Sequence, residues 1–151
     1  MANTQSLCTS FKSELLTGTH NFGTGVVRAA TTADTFKAAL YLASATVNGT
    51  TTAYSSTGEV TGTNYTAGGA TVTNATAPTT SGTTAYWTPS ASITFSNVTL
   101  TTAFDAVLIY NSSQSNKAVS VHTFGSQTVT AGTFTLTMPT NDSSTGLIRL
   151  A

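Results

Sequence analysis

The chain has 151 residues, enough for one domain that buries about 70% of its unfolded surface with no need of a disulfide or a metal. Only 7% of its residues are charged, five basic against five acidic, so it offers no basic stripe for nucleic acid, and it has no apolar run long enough to span a membrane. Threonine supplies roughly a quarter of the chain, where ordinary domains are led by Leu, Ala and Gly, and its β-branched side chain favours strands.

In chain order, Asn3 to Thr17 predicts a helix. Leu7, Cys8, Phe11 and Leu15 fall on one face, and Gly18 is a natural stop. The first residues are polar and lack a basic region ahead of an apolar core. No secretory signal is therefore expected, and the protein is expected to stay where it is made. Residues 1–19 are read as an N-terminal helical segment or arm, and 20–151 as the β domain. His20 to Ala33 reads as a loop or an edge strand.

Phe36 to Leu42 alternates with period two and predicts a strand. Asn48 to Gly69 is irregular and punctuated by glycines. Ala70 to Thr76 reads as a short strand, and Ala77 to Pro89 as a long loop carrying Tyr86 and Trp87. Strands follow at Ser90–Phe95, Phe104–Tyr110, Ala118–Thr123, Thr133–Met138 and Leu147–Leu150, with turns at Asn111–Asn116 and Asn141–Gly146. Short strands at this spacing predict a mostly β chain: an antiparallel β-sandwich or jelly-roll-like single domain with a short N-terminal helix.

Titratable groups are few. Glu14, Asp34, Glu59, Asp105 and Asp142 each stand alone in sequence, and Asp105 reads as a strand-edge or capping carboxylate. His20, His122 and the single Cys8 lack the close-spaced pairs of a zinc site. Cys8 reads as a small buried hydrophobe. His122, opposite Val119 and Val121, reads as an exposed or interface histidine. Nucleophile-elbow, Walker and dinucleotide glycine motifs are absent. No cofactor, no metal and no catalytic residue is expected, and an enzyme is the least expected class. Six Asn-x-Ser/Thr sequons, at Asn48, Asn64, Asn74, Asn97, Asn111 and Asn141, are expected to stay unmodified.

Low charge of either sign promotes association, which suits a subunit that spends its life docked to neighbours. The candidate interface residues are Leu7 and Phe11 on the arm, Tyr54 and Tyr65 flanking the Gly-rich stretch, and Tyr86 and Trp87 in the loop. Large rigid rings are favoured anchors. For Tyr86 and Trp87 the competing reading is that they fold back over the chain's own core.

Three segments resemble stretches of small structural proteins of tailed bacteriophages. They are GEVTGTNYTAGG (Gly58 to Gly69), FDAVLIYNSS (Phe104 to Ser113) and TFTLTMP with GLIRLA (Thr133 to Ala151). The resemblance implies a virion protein, by size a head decoration or cement protein bracing neighbouring capsid subunits. Its partners would be the major capsid protein and copies of itself, as a homo-oligomer, with no nucleic acid and no membrane. A neck or tail adaptor of the same particle is the alternative. A carbohydrate-binding β module is the alternative of another class, resting on Tyr86 and Trp87.

Overall fold

The structure, a computed structural model, describes residues 3–16, 19–20, 22, 33–74 and 77–151. The elements are β1 (Ser6–Leu7), α1 (Thr9–Leu16), β2 (Phe36–Leu42), β3 (Ala70–Thr71), β4 (Thr79–Ser81), β5 (Thr84–Trp87), β6 (Ile93–Asn111), β7 (Lys117–Leu136) and β8 (Ile148–Leu150). They form a five-stranded antiparallel sheet in the order β1-β7-β6-β2-β3 and a three-stranded one in the order β4-β5-β8. The expected mostly β, antiparallel single domain with a short N-terminal helix is what the chain forms.

β2 and the first part of the FDAVLIY segment are the centre. Leu40 pairs with Val107, Ala38 with Ile109 and Phe36 with Asn111. All of Phe104 and Ala106 to Tyr110 is buried, as a strand covered on both faces requires. On one face Phe36 meets Phe22 and Trp87, whose strand β5 belongs to the smaller sheet. On the other, Tyr110 stacks on Tyr54 from the irregular segment 43–69.

Several sequence expectations are corrected. The helix starts at Thr9, six residues later than predicted. The backbone before it is committed to the sheet. Ser6 and Leu7 pair with β7, Thr4 N–H donates to the Val47 carbonyl and Cys8 N–H to that of Val119. The expected loop at Ala77–Pro89 is largely a hairpin, β4–β5, turning at Gly82 with φ +58°. Among the described residues of the expected strand at Ala70–Thr76, ladder pairing is confined to Ala70–Thr71, and Val72 is buried with its N–H donating to the Phe36 carbonyl. Most of His20–Ala33 lies outside the described residues. Finally, Ile93–Phe95 of the first expected strand and Phe104–Tyr110 belong to one 19-residue strand, and Ala118–Thr123 and Thr133–Leu136 to one of 20 residues, with Ser90–Ser92 and Thr137–Met138 outside them.

Candidate docking surface on a bent hairpin

β6 and β7 pair from Asn111↔Lys117 at the turn to Ile93↔Leu136 at the open end. They do not run straight. The rings of Phe124 and Phe134, both on β7, have centroids 5.3 Å apart. Ten residues of extended strand would separate them by about 33 Å. The ribbon therefore doubles back, and the register explains how. Every pairing between Phe95 and Ala106 is separated from the next by a register shift, and Asn97 and Ala131 sit at φ +53° and +45°. Bulges of this kind bend a strand and let it pass from one layer to another. Residues 104–111 and 117–123 are the root leg; 93–95 and 134–136 are the return leg. Phe95, Phe104, Phe124 and Phe134 meet inside the bend.

Doubling back leaves a groove of about 330 Å³ between the legs. Val107, Ile109 and Phe124 line it from the root side, and Phe134, Leu136 and Met138 from the return side. His122 and Leu147 connect it to a second depression of about 480 Å³ bounded by β1, Pro139 and Thr145–Arg149. Val121 is the last β7 residue paired with β1. Beyond it, no strand among the described residues pairs with the outer edge of β7. That edge is uncharged: no Asp, Glu, Lys or Arg stands between Lys117 and Asp142.

His122 is half-buried where the two depressions join, and burial pushes its imidazole down to about 4. Its Nε2 lies 2.9 Å from Ser120 Oγ. A neutral ring can accept the serine proton there, which is the first step of nucleophile activation. The geometry does not extend it. Ser120 is 1% exposed and paired on its strand edge with Leu7, so a substrate carbonyl has no approach to Oγ. Among the described residues no three His, Cys, Asp or Glu side chains are placed to hold a metal. What this surface can do is take up an uncharged, apolar, strand-like neighbour.

The six sequence-predicted interface residues are not brought together. Phe11 is fully buried and packs edge-on to His20 and Phe22. Trp87 is 2% exposed, set between Phe22 and Phe36. Both serve the chain's own core, because the β4–β5 hairpin turns the Trp87 ring inward. Tyr86 is half-buried beside a small apolar dimple with Leu15 and Leu150. Leu7 lies at the rim of the 480 Å³ depression and is the one of the six that borders the groove system.

Tyr54 and Tyr65 are half-buried and clamp Glu59. Tyr54 Oη donates to its Oε2 at 2.6 Å and Tyr65 Oη to its Oε1 at 2.8 Å, with Gly68 N–H also on Oε1 at 2.8 Å. Burial, then the Glu59 carboxylate, raises both phenols well above their ordinary range. Burial also raises Tyr41 and Tyr110 to about 12. This cluster pins segment 43–69 to the sheet, with Glu59 held by two phenols and a backbone N–H. Asp105 accepts from Asn3 Nδ2 and ties down the N-terminal segment. Cys8 is fully buried, as expected.

Sequence reasoning missed the groove because its walls come from a two-stranded ribbon folded back on itself. The available signal was the uncharged, proline-free run from Ala118 to Met138.

No family model, no curated protein and no solved structure matches this chain.

Proposed function

We propose that this protein is a structural subunit of a tailed-phage particle, a decoration protein that sits on the capsid surface and braces neighbouring capsid subunits. The observation that carries an assembly role is the doubled-back hairpin, whose outer edge is unpaired among the described residues, uncharged, and set beside an apolar groove. Natural monomers guard such edges with charge, proline or a covering element. The phage setting is supported by the resemblance of Gly58–Gly69, Phe104–Ser113 and Thr133–Ala151 to small virion proteins. Many weak, nearly uncharged contacts repeated over a lattice add up through effective concentration. With Trp87 inside the core, the carbohydrate-module alternative loses its main anchor.

Quantitative mass spectrometry of purified virions tests the reading. Hundreds of copies per particle are expected of a decoration protein. Six or twelve copies would move it to the neck or tail, and absence from virions would overturn the proposal.

A further inference from the structure

We infer that two copies of this chain join through the return leg of the bent hairpin, antiparallel across a two-fold axis at Thr135. The inference rests on the assembly reading and specifies one of its interfaces. From Gly132 to Met138 the chain reads GTFTLTM. Thr133, Thr135 and Thr137 are exposed, while Phe134, Leu136 and Met138 are half-buried and line the groove, which Thr135 and Thr137 also border. On the inner side β6 pairs in unbroken register, Ile93↔Leu136, Thr94↔Thr135 and Phe95↔Phe134. The other side of the strand has no strand partner among the described residues.

The occupant follows from the pattern. An antiparallel copy centred on Thr135 sets Phe134 opposite Leu136 of the second copy, and Gly132 opposite its Met138. On the outer face it sets Thr133 opposite Thr137 and Thr135 opposite Thr135. Apolar side chains meet apolar ones, and threonines meet threonines, which are favourable cross-strand pairs. No charge anywhere on the run opposes this approach, and Pro139 ends it. The contact is isologous, so it closes as a dimer and does not propagate as a fibre. It also carries the apolar inner face across the axis and narrows the open mouth of each groove.

The test is sedimentation equilibrium on the full chain, with circular dichroism to confirm that each variant is folded. Wild type is expected to be dimeric. The T133K/T137K variant places two Lys–Lys pairs across the axis, and its dimer should be about tenfold weaker or worse. T133K/T137E places Lys opposite Glu twice and should restore the dimer. T133K/T135E has the same net charge but sets Glu opposite Glu at the axis, so it should not restore it. A monomeric wild type, or equal dimer strength in T133K/T137E and T133K/T135E, overturns the inference. Either result concerns this edge alone, whereas the virion copy number decides the assembly reading.

Discussion

His122 gives the structure a measurable acid sensitivity. Burial holds its ring at about 4, against an ordinary value of 6.5. In the unfolded chain the ring takes up a proton near pH 6.5, and in the folded chain only near pH 4. Between those values the unfolded state binds more protons, so stability rises with pH across that window. The contribution is complete above about pH 6.5 and is lost progressively as pH falls towards 4. A gap of about 2.5 pH units at about 1.36 kcal/mol each corresponds to about 3 kcal/mol. Because the ring is only half-buried, roughly 2–3 kcal/mol is the expected loss. Arg149 also lines the depression that His122 borders. The other groove-lining side chains are uncharged. Asp142 does not confuse the window: Ser144 and Thr145 hydrogen bonds hold its carboxyl well below the usual range, so its effect comes at lower pH. Urea denaturation at pH 7, 6, 5 and 4 should show the loss for wild type. The His122→Gln variant should lose about 2–3 kcal/mol less over the same range. Parallel slopes for the two proteins would refute the argument.

The remaining predictions concern what holds the framework. Glu59→Ala leaves two half-buried phenols and the buried Gly68 N–H without their acceptor and should destabilise by on the order of 3 kcal/mol in urea melts. Gly69→Ala should cost on the order of 3 kcal/mol, or about 10 °C of Tm, because Gly69 sits at φ +73° and a β-carbon there overlaps the Ala38 carbonyl of β2. Gly82→Ala, at φ +58° in open space, should cost only about 1 kcal/mol. Removing residues 1–19 takes away β1 together with the fully buried Cys8 and Phe11, so the truncated chain should lose its cooperative thermal transition; an unchanged Tm would show that the arm is an appendage.

What could be read in the sequence was decided by parity. Phe36–Leu42 and Phe104–Tyr110 are apolar and buried over most of their length, and both lie in strands where the pattern puts them. The stretches joining Phe95 to Phe104 and Thr123 to Thr133 lose their alternation because each bulge shifts which residues face inward. Threonine masks the break further, since it suits an exposed strand and a turn alike. Two long strands were thus legible only as four short ones. Trp87 looked loop-borne because Thr79–Trp87 has no apolar alternation, yet a two-residue turn at Gly82 is enough to aim its ring at Phe36. The clamp on Glu59 had a local trace, with Tyr54 and Tyr65 five and six residues away, but their convergence on one carboxylate depends on how segment 43–69 folds over β2.

The bend also says why this chain should gain from company. A two-stranded ribbon is marginal in water unless an apolar face is covered. The return leg has only Ile93, Phe95, Phe134 and Leu136 to set against the root leg, and the groove beside them stays open. A neighbour that covers this edge binds the folded form and not the unfolded one, so its binding adds directly to stability. The chain's own stability should therefore depend on its concentration, with Tm rising as copies associate. The T133K/T137K variant should lose that concentration dependence while keeping the Tm of dilute wild type. A low charge content would then be tolerable, because a bound neighbour would cover the surface it leaves unprotected.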